Sequence, residues 1–342
     1  MDLGQIASTL ADWIDVESIT GNEGDYGDAL GRALTRHGFD VEFQEVAPGR
    51  RNVLARADRP EVVFCTHLDT VPPFIPPRVS GGTIHGRGAC DAKGQALSML
   101  LAAERLVADG ERRVGFLFTV GEEVDSVGAA AADRALADDP ARRDEWAPRF
   151  TIVGEPTGNR FISGHKGIFL ADLVARGVAG HSSNPLGPSA VHELVGCCAR
   201  LTTSGWGSDP DLGEGTLNVG TIAGGLAPNV VAPEARASIL VRAVEEPEVV
   251  RGRIDAALGA HVRLEEGREQ YGPVRFHVPE GEPAEPVAFG TDAPHLRQWG
   301  TPLLIGPGSI DLAHTDGERI EASEVDEGVA RHVATVRGLL GG

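Results

Sequence analysis

The sequence predicts an α/β domain, with a mostly parallel sheet flanked by helices, and a smaller α+β domain inserted into it. Three apolar runs at 62–65, 114–120 and 150–153 have the composition of strands buried on both faces, and they alternate with helical patterns. After Gly167 the order of predicted elements changes. The chain has 342 residues, which exceeds the usual limit for one hydrophobic core, so two domains are expected.

The first domain is predicted to cover residues 1–166 and 268–342. Apolar residues at helical spacing predict two surface helices before the sheet, one beginning near Leu3 and one near Tyr26. The other elements predicted here are strands at 39–46, 52–55 and 303–305, and helices at 92–108, 291–298 and 325–339. Alternating strands and helices of this kind are typical of parallel sheets covered on both faces.

The inserted domain is predicted to cover residues 167–267. Its pattern is strand 168–175, helix 188–201, strands 216–222 and 235–242, helix 247–258 and strand 261–264. This order is that of a ferredoxin-like α+β unit.

Composition excludes several classes of protein. The 31 Lys and Arg residues stand against 50 Asp and Glu residues, and the net charge of −19 disfavours nucleic acid or an anionic membrane as a partner. The four cysteines have no Cys-x-x-Cys spacing, which fits reduced thiols in a cytoplasm. No signal-type segment and no apolar run of ~20 residues is present, so we expect a cytoplasmic chain without a membrane span.

Polar side chains that could bind a metal follow the apolar runs. His67 and Asp69 end the first run, and their i, i+2 spacing points both to one side at the carboxyl end of a strand, where open α/β sheets place their sites. Further acidic or imidazole groups follow later runs or lie in Gly-rich loops: Asp91, Glu122, Glu123, Glu155 and His314. Any one of them could simply be a solvated strand end. Together they favour a metal site.

Imidazole nitrogens and carboxylate oxygens are ligands that zinc prefers, and a paired site needs one carboxylate to join two ions ~3.5 to 4 Å apart. Glu122 and Glu123 are neighbours, so one can bind a metal while the other stays free as a general base. The metal lowers the pKa of a water to about 7, which makes such a base effective. Asp69 is expected to accept the second ring N–H of His67 and so fix its tautomer.

Five motifs, taken together, resemble the co-catalytic zinc aminoacylase and carboxypeptidase family of M20 type. They are His67-x-Asp69, Gly88-x-x-Asp91-x-Lys93-Gly94, Glu122-Glu123, Gly154-Glu155-Pro156, and Ala313-His314 followed by Glu318. The resemblance runs from about Trp13 to Ile320 and implies a zinc exopeptidase-like domain with two Zn²⁺, for which Co²⁺ or Mn²⁺ can substitute. It implies that His67 and Glu155 bind one zinc, that Glu123 and His314 bind the other, and that Asp91 bridges them. Asp69 would orient His67, and Glu122 would activate the attacking water and pass its proton to the leaving amine.

The inserted domain resembles the lid and dimerisation domain of that family, which implies a homodimer. In Gly180-His181-Ser182-Ser183, His181 would then stabilise the oxyanion in the site of the other subunit. Asn229 and Arg242 resemble positions that bind the substrate carboxylate, and Gly290 and Thr291 resemble substrate-side backbone. From the residues alone, His181 is predicted to be a loop residue. A turn position for Asn229 and an exposed strand position for Arg242 are the alternatives to substrate binding.

Within the family, further segments resemble the acetylornithine deacetylases, namely Gly164-His165-Lys166-Gly167, 181–185, 216–220 and Gly306-Pro307-Gly308-Ser309. The expected function is therefore hydrolysis of an N-acyl amino acid, with N-acetylornithine of arginine biosynthesis as the first substrate. N-acetylcitrulline, N-succinyl-diaminopimelate, a carrier-linked lysine or a dipeptide are alternative substrates for the same site. A non-catalytic binding protein on the same scaffold is an alternative of another class.

Overall fold

The computed structural model describes every residue except Glu266, Arg268 and Gly342. The chain forms two compact units. The first unit comprises Met1–Ser163, Phe276–Glu285 and Thr291–Gly342, and the second comprises Gly164–Arg275 and Pro286–Gly290. The predicted domain boundary at residue 268 falls outside the described residues.

The described residues contain helices and strands with the following bounds. The α-helices are α1 (Leu3–Ile14), α2 (Gly24–Arg36), α3 (Lys93–Ala108), α4 (Val127–Asp138), α5 (Pro140–Trp146), α6 (Ala190–Thr203), α7 (Pro247–Ala257) and α8 (Ala322–Leu340). The strands up to residue 181 are β1 (Asp40–Ala47), β2 (Arg50–Arg56), β3 (Val62–His67), β4 (Arg78–Ser80), β5 (Thr83–His85), β6 (Val114–Thr119), β7 (Phe150–Val153), β8 (Phe161–His165), β9 (Gly167–Arg176) and β10 (Gly180–His181). The later strands are β11 (Ser208–Asp209), β12 (Gly213–Glu214), β13 (Thr216–Gly224), β14 (Val230–Val231), β15 (Glu234–Ala243), β16 (Val262–Glu265), β17 (Gln270–Tyr271), β18 (Val274–Arg275), β19 (Ala284–Val287), β20 (Thr301–Leu304) and β21 (Arg319–Glu321).

The main sheet of the first unit is mixed, with the strand order β1-β2-β6-β3-β7-β20. The pairs β6 with β3, β3 with β7, and β7 with β20 are parallel. The pairs β1 with β2 and β2 with β6 are antiparallel. The parallel sheet predicted from the apolar runs therefore forms one part of the sheet, and a hairpin extends it at one side.

Helices cover both faces of this sheet. All six residues of β3 are buried, and alternate side chains point to opposite faces. Val62 and Phe64 pack in a core with residues of α1, α3 and α8, whereas Val63 and Cys65 pack in a second core with residues of α4 and α5. This double burial is why the run contains no alternating polar residue.

A buried lysine holds the start of α3 against the end of α1. The ammonium group of Lys93 donates hydrogen bonds to the carbonyl oxygens of Trp13 at 3.1 Å and Val16 at 2.5 Å. It also lies 4.5 Å from the ring centroid of Tyr26. Burial lowers the pKa of Lys93 to about 7.

The prediction of a helix at 291–298 is wrong. The structure has only a 3-10 turn at Ala293–His295 in this stretch. The chain must enter β20 at Thr301, and Gly300 takes a left-handed φ of 78° just before it. The buried Leu296 and Trp299 anchor this stretch in the second core.

The second unit contains an antiparallel sheet with the order β13-β15-β9-β16. Its main elements follow one another as β9, α6, β13, β15, α7 and β16, and the two helices pack in one core with the sheet. The role of this unit as a lid and dimerisation domain stays a prediction.

The helices of the described part of the chain include none with the length and apolar character needed to cross a bilayer. All four cysteines of the sequence are buried and unpaired.

Candidate metal centre

The predicted ligands collect at the carboxyl ends of neighbouring parallel strands. His67 is the last residue of β3, opposite Thr119 at the end of β6. Glu122 and Glu123 follow β6 directly, and Glu155 follows β7 on the other side of β3. The strand order thus places these side chains at one edge of the sheet.

Asp91 lies between two imidazoles. Its Oδ1 atom is 2.9 Å from Nε2 of His67, and its Oδ2 atom is 3.2 Å from Nε2 of His314. A second carboxylate accompanies each imidazole. Oε2 of Glu155 is 4.0 Å from Nε2 of His67, and Oε2 of Glu123 is 3.0 Å from Nε2 of His314. The five residues therefore form two groups that share Asp91.

His314 occupies a left-handed backbone conformation, with φ of 62°. This conformation is uncommon for residues other than glycine and is concentrated at functional sites. About half of its side chain is exposed, whereas His67 and Asp91 are almost wholly buried. His314 thus closes the cluster on its solvent side.

The charges of the cluster are strongly coupled. Hydrogen bonds with Asp91 and Glu123 raise the pKa of His314 to about 10. Burial alone would lower the pKa of His67, but hydrogen bonds with Asp69 and Asp91 raise it well above its ordinary value. Burial and the neighbouring carboxylates raise the pKa of Glu155 well above the usual range. Each imidazole therefore has a neighbouring carboxylate that favours its protonated form.

This donor set fits divalent cations. Ligands of one zinc ion, each bound at ~2.0 to 2.2 Å, lie roughly 3 to 4 Å from one another, which is the range of the imidazole to carboxylate distances found here. Ligand atoms of His67, Asp91 and Glu123 all lie within 4.8 Å of one another. The imidazoles must lose their protons to bind a metal, so cations would replace those protons as the compensating charge.

Asp69 contacts both His67 and the turn that carries the two glutamates. Nδ1 of His67 lies 2.9 Å from the main-chain oxygen of Asp69 and 3.6 Å from its carboxylate, so the main-chain oxygen is the nearer acceptor. The carboxylate accepts the backbone N–H groups of Gly121 and Glu122 at 3.1 Å and of Glu123 at 3.2 Å. It also accepts the hydroxyl of Thr20 at 2.8 Å. Asp69 thus shapes the turn in addition to facing the imidazole.

The Glu122 carboxylate makes no hydrogen bond with the residues that the structure describes, unlike its neighbour Glu123. Burial raises the pKa of Glu122 well above the ordinary value, against the opposing effect of His67, and the carboxylates of Glu155 and Asp292 raise it further. A carboxyl group with a raised pKa accepts a proton more readily than an ordinary carboxylate.

Four predicted residues, His181, Asn229, Arg242 and Gly290, lie in the second unit. The pairing of β10 with β14 places His181 opposite Val230, and the N–H of Ser182 donates to the main-chain oxygen of Asn229 at 3.1 Å, so His181 and Asn229 are neighbours. Arg242 lies on β15 between Thr216 and Ile168 of the adjacent strands.

Gly290 and Thr291 fall on either side of the division between the units. A Cβ atom at Gly290 would lie 2.5 Å from the hydroxyl of Tyr271, so that position admits no side chain without a shift. Thr291 in the first unit is buried, and its hydroxyl accepts the N–H of Ala293 at 3.1 Å.

The comparison with known proteins assigns the family. Residues 63–338 match the model of peptidase family M20/M25/M40. The chain belongs to this family. A peptidase M20 domain-containing protein of Schizosaccharomyces pombe is 36% identical over 330 residues, covering 92% of this chain and 80% of the relative. A probable carboxypeptidase of Aspergillus terreus is 35% identical over 360 residues, covering 92% and 82%.

Solved structures of M20-type peptidases share the fold. The aminopeptidase PepT of Bacillus cereus superposes with a TM-score of 0.82 at 19% identity, covering 99% of both chains. A dinuclear metal-binding M20 peptidase of Bacillus subtilis superposes with a TM-score of 0.72 at 14% identity, covering 99% of this chain and 98% of the other. The chain is thus an M20-type hydrolase with the mixed sheet of its family.

Sequence reasoning assigned no role to several residues around this M20 centre. Asp292 is buried and accepts the hydroxyl of Thr119 at 2.6 Å, and burial raises its pKa. Asp292 directly follows the predicted site residue Thr291, and this position in the sequence could have indicated it. Thr20, which bonds Asp69 from 49 positions away, offered no signal. Glu318 belongs to the motif that contains His314, but the sequence does not show which groups its carboxylate contacts.

Proposed function

We propose that the chain is a two-metal hydrolase that cleaves an amide bond whose amine side carries a free carboxylate. One observation carries the proposal: Asp91 presents one oxygen to His67 and the other to His314, with Glu155 and Glu123 beside them. His67 and Glu155 would hold one cation, Glu123 and His314 the other, and Asp91 would join them. When bound, the two cations would polarise the scissile carbonyl and acidify a water.

Glu122 is the proposed general base. It follows the strand that carries Glu123, and its carboxylate makes no hydrogen bond with the described residues. It would take a proton from the attacking water and return it to the leaving nitrogen. Asp69 would hold Glu122 in place through the backbone N–H groups of the turn.

His181 and Asn229, two residues of the second unit, are proposed to contact the substrate. Nδ1 of His181 accepts the N–H of Ser183 at 3.2 Å and lies 2.7 Å from its hydroxyl. The ring proton therefore belongs on Nε2, where it could be donated to an oxyanion. By the family resemblance, this histidine would act across a homodimer, and Asn229, Arg242, Gly290 and Thr291 would contact substrate. The cytoplasmic location likewise stays a prediction.

Two substrate classes share the proposed chemistry. A peptide cut at its carboxyl end and an N-acyl amino acid both contain an amide bound to an amino acid with a free carboxylate. The name probable carboxypeptidase of the Aspergillus terreus relative favours the first class. The motif resemblance to acetylornithine deacetylases favours the second, with N-acetylornithine as its first member.

The base is tested with Glu122→Gln. We expect the variant to bind two equivalents of cobalt(II) as the wild type does, while kcat falls roughly 10²- to 10⁴-fold because the proton acceptor is lost. Asp125→Asn, in the same turn but exposed, is the matched control and should retain activity. Full turnover by Glu122→Gln would exclude it as the base.

The substrate class is tested with a panel assayed with zinc or cobalt. It comprises N-acetylornithine, N-acetylcitrulline, N-succinyl-diaminopimelate, a carrier-linked lysine, and a dipeptide with and without a carboxyl-terminal amide. We expect amidation of the dipeptide to abolish cleavage. Equal cleavage of the amidated peptide would refute the requirement for a carboxylate. Fewer than one metal ion per chain and no turnover would favour the non-catalytic binding protein.

A further inference from the structure

Glu318 is a buried carboxylate that contacts three backbone N–H groups of the loop carrying Asp91. Only 1% of its surface is exposed. Its Oε1 atom accepts the N–H groups of Gly88 at 3.0 Å, Cys90 at 3.3 Å and Asp91 at 3.2 Å. Three backbone N–H groups therefore surround this carboxylate oxygen, and one of them belongs to Asp91. Hydrogen bonds to a charged acceptor are about twice as strong as neutral ones, so these bonds strongly constrain the loop.

Arg87 pairs with the other oxygen of this carboxylate. Its Nη1 atom donates to Oε2 of Glu318 at 2.7 Å, and both side chains are buried. The same nitrogen donates to the main-chain oxygen of Thr315 at 3.2 Å, and Nε donates to the main-chain oxygen of Pro73 at 3.3 Å. Because Thr315 follows His314, the pair connects the Asp91 loop with the segment that carries His314.

Little free space surrounds the loop. Gly88 has a left-handed φ of 89°, and a Cβ atom there would lie 3.1 Å from Thr70 and from Lys93. The main-chain oxygen of Glu318 accepts the N–H of Gly86 at 3.1 Å, which fixes the loop at its other end. A change at Glu318 would therefore be transmitted to Asp91 rather than absorbed within the loop.

We propose that Glu318 is a positioning residue that sets the distance between Asp91 and His314, with Arg87 as its counter-ion. The inference rests on the proposed function, which makes Asp91 the shared ligand and His314 a ligand of one cation. Glu318 does not approach the substrate in this role. It determines whether both oxygens of Asp91 can face a cation at the same time.

Cobalt(II) binding to the metal-free full chain tests the proposal. We expect Glu318→Gln to weaken the binding of at least one cobalt ion roughly 10- to 100-fold in calorimetry and to change the visible spectrum of bound cobalt. We expect kcat to fall by a similar factor with little change in KM, because the substrate contacts are untouched. Glu282→Gln is the matched control, since Glu282 pairs with Arg331 at 2.8 Å in the same unit.

A purely structural role is distinguished with two further variants. Val336→Ala removes buried volume from α8 and should lower stability while cobalt affinity and spectrum stay unchanged. The double variant Arg87→Met with Glu318→Gln leaves no unpaired buried charge and should fold, yet it should still bind cobalt weakly. Wild-type affinity and spectrum in the double variant would overturn the role of Glu318. A wild-type chain that binds no cobalt would instead overturn the metal centre, and this inference with it.

Discussion

The stability of the first unit should depend on pH through one buried histidine. His332 on α8 is wholly buried, and neither ring nitrogen has a hydrogen-bond partner among the residues that the structure describes. Its ring packs edge-on against Phe64 at a centroid distance of 5.4 Å. Burial lowers the pKa of His332 to about 3. In the unfolded chain the pKa is about 6.5.

Proton linkage gives the direction in which the free energy of unfolding changes with pH. Between these two pKa values the unfolded chain binds more protons than the folded chain, so the free energy of unfolding falls as the pH drops below about 6.5. The loss from His332 between pH 7 and pH 5 is about 2 kcal/mol, and it continues to grow until about pH 3.

The substitution His332→Leu should remove this dependence, because leucine has a similar volume and no titratable group. We expect the variant to be at least as stable as the wild type at pH 7, since two unpaired buried nitrogens are also removed. Relative to the wild type, the variant should gain about 2 kcal/mol in unfolding free energy between pH 7 and pH 5.

Urea unfolding of the metal-free proteins at pH 7, 6 and 5 measures the effect. Tryptophan fluorescence mainly reports on the first unit, which contains Trp13, Trp146 and Trp299 of the four tryptophans. His192→Gln, at an exposed position of α6, is the control. Parallel pH curves for the wild type and His332→Leu would refute the reasoning.

Three further predictions concern the surroundings of the metal centre. Asp69→Asn can place an amide NH₂ where the carboxylate oxygen accepts hydrogen bonds from the N–H of Glu123 and the hydroxyl of Thr20. We therefore expect kcat/KM with excess metal to fall roughly 10- to 100-fold. Thr20→Val should cost less, and an equal loss would contradict this. EDTA should lower the free energy of unfolding, and cobalt at a hundredfold excess over Kd should restore about 2.7 kcal/mol, whereas equal stability with and without metal would argue against the site. Lys93→Met removes the ammonium donor to the main-chain oxygens of Trp13 and Val16, of which Trp13 keeps the N–H of Val16 as a donor. The loss should cost about 1 to 3 kcal/mol in unfolding free energy, which an unchanged urea midpoint would disprove.

The sequence was most informative where a local pattern and the fold agree. The run ending in His67 predicts a strand buried on both faces, and the structure contains it as β3 with helices on each side. Because parallel strands end at one edge, the acids after β6 and β7 could be expected near His67. The structure places Asp91 between His67 and His314, and their roles as metal ligands stay predictions.

The sequence was least informative where contacts between distant segments determine the local structure. The 3-10 turn at Ala293–His295 was predicted as part of a helix, because periodicity does not show that β20 begins shortly afterwards. The helices α4 and α5 were not predicted, although α4 contains an alanine-rich stretch. The backbone contacts of Asp69 and Glu318 join segments 52 to 230 positions apart, and no local pattern encodes them.

Two buried carboxylates each accept three consecutive or nearly consecutive backbone N–H groups, Asp69 from the turn after β6 and Glu318 from the loop before α3. Amides in short surface loops ordinarily exchange with deuterium quickly, but the acceptors of these six are buried carboxylates of the chain itself. The loops would therefore keep their shape while one metal ion leaves and another arrives. Replacement of the metal would then proceed at the pace of ion dehydration and entry, without local unfolding of the chain.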